Sequence, residues 1–189
     1  HSNTRTTAEA IALSRKPQVA ATGVTWLQGA LPQPPVAANA ARSVCCFAPM
    51  DALAAWIEAG TAANLERVVA TSSMSAESKQ ASPVAAEREV SRRLHEGEAA
   101  VARACERRGI AWTILRPTLI YGAARDRSLT PLARRAMRWR LFGLPAGSGL
   151  RQPVHADDIA QAVVRAVDGG AAGRVIPLGG GERLPASEM

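Results

Sequence analysis

The sequence predicts an α/β fold: a doubly wound parallel sheet with helices on both faces. Three observations predict it. Six short apolar runs recur along the 189 residues. Several of them are apolar on successive rather than alternate positions, the pattern of strands buried on both faces. Amphipathic stretches of helical period separate them, and strand–helix alternation of this kind builds parallel sheets.

The runs are Ala10 to Leu13, Val24 to Leu27, Val44 to Phe47, Val68 to Ala70, Ala111 to Leu115 and Val175 to Leu178. A helix is expected over Asp51 to Asn64, with Asp51 as its N-terminal cap. A longer one covers Val84 to Arg108, where Val90, Leu94, Gly97, Val101 and Ala104 fall on one face. Gly109 follows and can take the left-handed conformation that stops a helix. A third helix begins after Ser128 and carries Arg134, Arg135, Arg138 and Arg140. A fourth covers Ala156 to Asp168. Asp157 and Asp158 lie in its first turn, where the dipole favours negative charge, and Gly169-Gly170 close it. Leu31-Pro32-Gln33-Pro34-Pro35 is a stiff local loop, not a linker. No internal repeat or boundary divides the chain, so residues 1–189 are expected to form one domain.

Composition narrows the classes of function. Hydrophobic residues are 47% and charged residues 21%, the balance of a globular protein. No stretch approaches the roughly 20 apolar residues of a membrane helix. Three cysteines, none in a Cys-x-x-Cys pair, fit a reducing, cytoplasmic home and no metal site. The net charge of +7 and pI near 10.6 invite a nucleic-acid reading. No nucleic-acid motif accompanies the charge, so that reading stays an outsider. An arginine-rich surface equally attracts an acidic or phosphorylated partner.

In open parallel sheets, ligands bind outside the carboxyl ends of the strands. The residues at those ends are Ser14-Arg15-Lys16, Phe47-Ala48-Pro49, Thr71-Ser72-Ser73 and Arg116-Pro117-Thr118-Leu119. Three segments occur in order: Glu66 to Ser73 (ERVVATSS), Trp112 to Gly122 (WTILRPTLIYG) and Gln152 to Ala160 (QPVHADDIA), followed by Leu178-Gly179-Gly180-Gly181-Glu182. Together they resemble the NAD(P)-dependent epimerase/dehydratase branch of the short-chain dehydrogenase/reductase superfamily. The resemblance covers the chain from about Ala8 onward. It implies a Rossmann-like fold holding a nicotinamide dinucleotide, with Ser73 at the position of the catalytic serine. It also implies cofactor contacts from Phe47, Ala48, Pro49, Thr71, Ser72, Pro117, Thr118 and Leu119.

The chain departs from the family in two places. The family opens with a strand, a glycine-rich turn and a helix, where the pyrophosphate meets a helix N-terminus. Here the only glycine before Gly29 is Gly23. Ala8 to Ser14 resembles the family's second strand, so the chain is expected to be partial, with the turn upstream of His1. Its closing Leu184 to Met189 reads as a turn before a further helix. The second departure is the acid/base pair. The family carries Tyr-x-x-x-Lys at the start of its long helix, the lysine lowering the phenol pKa. The lone tyrosine here, Tyr121, belongs to the strand-end motif, and residues 89–95 offer neither partner. Lys79 lies too early. His95 could shuttle a proton, although an exposed helix histidine needs no such role.

Other residues have structural readings. An arginine after the second strand accommodates a 2′-phosphate, where an acidic residue would bind the ribose hydroxyl. Ser14, Arg15 and Lys16 therefore point to NADP rather than NAD, the alternative being that Arg15 and Lys16 are solvated loop cations. Cys45-Cys46 and Cys105 read as small buried side chains. His155, Asp157 and Asp158 read as helix capping rather than a metal site. Trp26, Trp56 and Trp112 read as core, and Gly179-Gly180-Gly181 as a turn. The expected function is that of an NADP(H)-dependent oxidoreductase or epimerase-type enzyme acting on a carbonyl or alcohol at Ser73. The alternative is a dinucleotide-binding sensor, regulator or assembly subunit without that catalysis. The expected partners are a small-molecule substrate or none, with no membrane, and a homodimer is left open.

Overall fold

The computed structural model describes residues 10–122, 129–140 and 150–185. Four parallel strands form its main sheet in the order β3-β4-β5-β9. These are β3 (Ser43–Cys46), β4 (Arg67–Thr71), β5 (Ala111–Pro117) and β9 (Arg174–Leu178). Their registers run Val44↔Val68, Val68↔Trp112 and Leu115↔Ile176. A second, two-stranded parallel sheet joins β1 (Ala10–Ser14) to β2 (Val24–Gln28). The remaining strands are short: β6 (Ile120–Tyr121) beside β8 (Val154–His155), and β7 (Leu150–Arg151) beside β10 (Leu184–Pro185).

The expected burial on both faces holds for the two inner strands. In β4, Val68 and Ala70 face one core while Val69 faces the other. In β5, Trp112 and Ile114 face the first and Leu115 the second. The first core is closed by α1 (Met50–Ala59) and α3 (Ala85–Arg107), through Leu53, Ile57, Val101 and Cys105. The two helices cross closely at Gly97, where an added Cβ would lie 3.1 Å from Met50 Cβ. The second core is closed by α5 (Ala156–Val167), through Ile159, Val163 and Ala166. Apolar side chains thus alternate between two helical layers, which is why these runs lack a polar alternation.

Elsewhere the burial departs from expectation. Trp26 is 39% exposed rather than core, and Ile11 beside it is 43% exposed. The crossover between β1 and β2, residues 15–23, contains no helix to cover that sheet. Cys45 is exposed while Cys46 is buried, because β3 is an edge strand. Val90 is exposed, since the start of α3 turns a polar face, not an apolar one, toward its neighbours. Trp56, Trp112 and Cys105 are buried as expected. Desolvation pushes the Cys105 thiol up to about 12, which leaves it inert.

The helix boundaries follow local chemistry. α1 starts after Pro49, so Asp51 sits inside the first turn and binds the Ala52 N–H at 2.8 Å rather than capping the helix. It stops at Gly60, in the left-handed region at φ 73°, four residues short of the expected end. Gly109 (φ 65°) ends α3 as predicted. A short α2 (Ser75–Ser78), absent from the sequence reading, follows β4, and α4 (Leu129–Trp139) carries Arg134, Arg135 and Arg138, while Arg140 lies just beyond its end at φ 50°. The polar opening residues, Phe142 and the last turn after Pro185 lie outside the described residues.

The two parallel sheets are not joined. Among the described residues no strand pairs β1 or β2 with the main sheet.

Candidate functional site

The tips of β4 and β5 are stitched together by main-chain hydrogen bonds. Ser72 N–H donates to Leu115 O at 2.7 Å, and Met74 N–H donates to Pro117 O at 2.9 Å. Ser73 and Pro117 are thereby held on neighbouring tips. Thr118 N–H donates to Leu178 O at 2.9 Å and its hydroxyl to Gln152 O, which ties in the end of β9. Thr71, Ser72, Ser73, Pro117, Thr118 and Leu119 therefore form one ledge. Phe47, Ala48 and Pro49 stand exposed at the end of β3, with Pro49 opening α1.

Ser14, Arg15 and Lys16 lie on the other sheet, at the tip of β1. The Ser14 hydroxyl accepts from Lys16 N–H at 3.2 Å and Gln18 Nε2 at 3.0 Å, which fixes the turn. Arg15 and Lys16 are exposed, and among the described residues neither meets a carboxylate.

A charged network that the sequence reading missed underlies the ledge. Arg116, the residue before Pro117, donates from Nε to Glu98 Oε1 at 2.8 Å and from a terminal nitrogen to Glu98 Oε2. Its other terminal nitrogen reaches Glu77 on α2. Ser72 Oγ donates to Glu98 Oε1 at 2.5 Å. Burial alone would raise the Glu98 carboxyl, but hydrogen bonds from Arg116 and Ser72 outweigh it and hold the group below the usual carboxylate range. The same pairing holds the Arg116 guanidinium above its ordinary value. The available signal was spacing: residues 91, 95 and 98 share one helical face, and Arg116 stood within the strand-end motif.

That face of α3 is fully engaged. Ser91 Oγ donates to Ala76 O. His95 Nε2 lies 3.1 Å from the same carbonyl, and its Nδ1 lies 3.3 Å from an Arg116 nitrogen. These partners match the tautomer with its proton on Nε2, leaving no free ring nitrogen for a shuttle. Glu87 binds Lys79 at 3.0 Å and Ser82 at 2.6 Å. His95 is thus neither a free proton carrier nor a merely exposed histidine. Ser73 differs from these groups. Its hydroxyl oxygen accepts from Ser75 N–H at 3.1 Å, and among the described residues its own proton has no acceptor.

The remaining candidates resolve as structure. His155 caps α5, accepting the Asp157 N–H on Nδ1 at 3.3 Å, and it packs edge-on against Tyr121 at 5.1 Å. A Cβ on Gly179 would sit 2.5 Å from the Gln152 side chain, and one on Gly180 would sit 1.9 Å from Pro153 O. Close packing against the backbone before β8 requires glycine at 180, whereas at 179 only the mobile Gln152 side chain stands in the way. An open cavity of about 250 Å³, lined by Tyr121, Pro153, His155, Asp158, Gly180 and Glu182, adjoins this packing.

A family profile described as NAD dependent epimerase/dehydratase matches residues 49–179. The chain belongs to the NAD dependent epimerase/dehydratase family. The match runs from the residue before α1 through β9, so the ledge and the Arg116–Glu98 pair lie inside it and β1 lies outside. Solved structures share the fold at low identity. UDP-glucuronic acid 4-epimerase from Bacillus cereus, in a complex with NAD, aligns at TM-score 0.71 and 16% identity, over 87% of this chain and 63% of that one. dTDP-glucose 4,6-dehydratase from Streptomyces venezuelae, with NAD bound, aligns at TM-score 0.73 and 19% identity, over 96% and 69%. UDP-N-acetylglucosamine 4-epimerase from Bacillus cereus aligns at TM-score 0.73 and 16% identity, over 94% and 69%. The chain thus spans between 63% and 69% of the length of these three family structures. No curated protein sequence matches it.

Proposed function

We propose that this chain binds NADP(H) at the tips of its parallel strands, as a family member in which tyrosine-type proton transfer is lost. The observation that carries this reading is the pair of exposed cations at the tip of β1, neither of which meets a carboxylate among the described residues. Arg15 can offer a planar two-pronged donor to a 2′-phosphate, and Lys16 a second positive charge. An acidic residue there would instead favour the bare ribose.

The residues present fit the two ends of such a cofactor. Arg15 and Lys16 would hold the adenosine phosphate, and Ser73, Pro117 and Thr118 would border the nicotinamide. A glycine-rich cradle for the pyrophosphate is not part of residues 1–189. When bound, a nicotinamide supplies hydride transfer. The chain's own contribution would be positioning. The stitched β4 and β5 tips set the ledge, and the Arg116–Glu98 pair braces it from beneath.

The engaged face of α3 favours binding without turnover, as in a redox sensor, regulator or assembly subunit. Ser91, His95 and Glu98 are each committed to structural partners. One observation favours the second reading, an oxidoreductase or epimerase-type enzyme. Among the described residues the Ser73 hydroxyl proton has no acceptor, so it can donate to a carbonyl oxygen at the ledge. Titration with NADPH, followed by a screen of carbonyl compounds for cofactor oxidation, separates the two. Saturable binding with no oxidation supports the first reading. Oxidation lost on Ser73→Ala supports the second.

A further inference from the structure

We propose that the groove between α5 and β9 binds a medium-chain carboxylate, with its tail on the apolar floor and its head at Arg165. The inference does not rest on dinucleotide binding and starts from side-chain size. α5 turns its bulky Ile159 and Val163 down into the second core. On the flank toward β9 its apolar side chains are only Ala162 and Ala166. Two methyl groups one turn apart leave the space beside β9 unfilled. A cavity of about 350 Å³ opens there, floored by Leu115, Ile176 and Leu178. β9 ends the main sheet, so among the described residues no strand closes the groove from outside.

The rim is charged, and unevenly. Asp158 and Arg165 both line the groove, seven residues or about 10 Å apart along α5. Neither meets an opposite charge among the described residues. Two more guanidinium groups belong to the Arg165 end. Arg67 is half-buried and donates to Ala166 O at 3.4 Å. Arg174, two residues before Ile176 on β9, shares the sheet face that Ile176 turns to the groove. Asp168 follows the helix but does not line the groove. One arginine in the last turn would complement the helix dipole. Three at one end of an apolar cavity also make that end an attractor of anions.

The occupant that fits offers an apolar body and one anionic end. The volume falls in the small-ligand range of roughly 300–1,000 Å³. A linear carboxylate meets both demands. Its chain displaces water from Leu115, Ile176 and Leu178, and its head takes a two-pronged donor from Arg165. Asp158 repels the head at the other end, which fixes one orientation. An inorganic anion gains nothing from the floor, and an alkylamine is repelled at the Arg165 end.

The test is isothermal titration calorimetry of the protein with sodium decanoate, kept below its micelle concentration. Decanol and decylamine vary the head, and acetate removes the tail. The expected result is saturable binding of one decanoate, at least about tenfold tighter than any of the three. Arg165→Gln weakens decanoate about ten- to a hundredfold, the loss of one charge-assisted contact. Ala162→Leu fills the groove without changing charge and weakens decanoate as well. Arg103→Gln, exposed on α3 across the sheet, leaves affinity unchanged and so excludes a general attraction to a basic protein. Circular dichroism matching the parent shows that the variants are folded. If Ala162→Leu does not fold, Arg165→Gln and the head-group series still decide. No binding of decanoate would overturn the proposal, as would equal binding of decanol or acetate, or indifference to either folded groove variant. Concentration-dependent dimerisation that Arg165→Gln abolishes, with no decanoate bound, would make the groove a contact between copies and also overturn it.

Discussion

The guanidinium of Arg116 and the carboxylate of Glu98 meet edge to edge, Nε to Oε1 at 2.8 Å, between the tip of β5 and the middle of α3. Their side chains are 12% and 5% exposed. Through Ser72 and Glu77 the pair also holds the end of β4 and the short α2. One ion pair therefore joins every element that borders Ser73.

Breaking that pair from one side leaves a charge with little access to water. Glu98→Ala is expected to lower unfolding stability by about 3–5 kcal/mol, the range for removing one partner of a buried pair. The double variant Glu98→Leu with Arg116→Met should recover most of the loss. A denaturant melt of each variant checks this. A single-variant loss below about 1 kcal/mol would show that the pair is incidental.

The same pair makes stability depend on pH. The folded Glu98 carboxyl lies below the unfolded value of about 4.3, so its contribution is complete above that pH. It is lost as the pH falls from there through the lowered folded value. Denaturant melts between pH 7 and pH 3 should show the parent losing stability below about pH 4.3, and Glu98→Gln losing less over the same window. Parallel curves would contradict the assignment.

The glycine run distinguishes packing from ligand binding. Gly180→Ala forces a Cβ to 1.9 Å from Pro153 O, so it should destabilise by about 1–3 kcal/mol. An added Cβ on Gly181 meets nothing within 4 Å, so Gly181→Ala should stay within about 0.5 kcal/mol. Thermal melts read both. If the run cradles a phosphate instead, Gly181→Ala would weaken NADPH binding while leaving the melt unchanged.

Ser73→Ala removes a hydroxyl whose only described bond is to Ser75 N–H, at 3.1 Å. A loss of about 1 kcal/mol in stability is expected, with NADPH affinity preserved. Carbonyl-dependent oxidation of NADPH should stand at background in parent and variant alike. A parent rate well above background would revive the hydride-transfer reading.

Much of the fold was legible because inner strands and helix ends obey local rules. β4 and β5 announce themselves by continuous apolar residues, since both of their faces meet helices. Gly109 and Gly169 mark helix ends because each takes a positive φ, whereas Gly60, which does the same, lay inside a helix expected to run on to Asn64. Exposure at Trp26, Cys45 and Val90 was not legible. It depends on which strand lies at an edge and which helix covers it, and that is set by contacts far apart in sequence. The ledge was half legible. Ser73 and Pro117 stood out as strand ends, whereas Glu98 and Glu77 became site residues only when α3 and α2 brought them to Arg116.

The central claim is that cations at the β1 tip recognise a 2′-phosphate. The most direct measurement is a fluorescence titration of parent and Arg15→Ala with NADPH and with NADH. The parent is expected to prefer NADPH. Arg15→Ala is expected to weaken NADPH about ten- to a hundredfold, as loss of a charge-assisted hydrogen bond would, and to leave NADH unchanged. Equal affinity of the parent for the two cofactors, or a preference that survives Arg15→Ala, would contradict it.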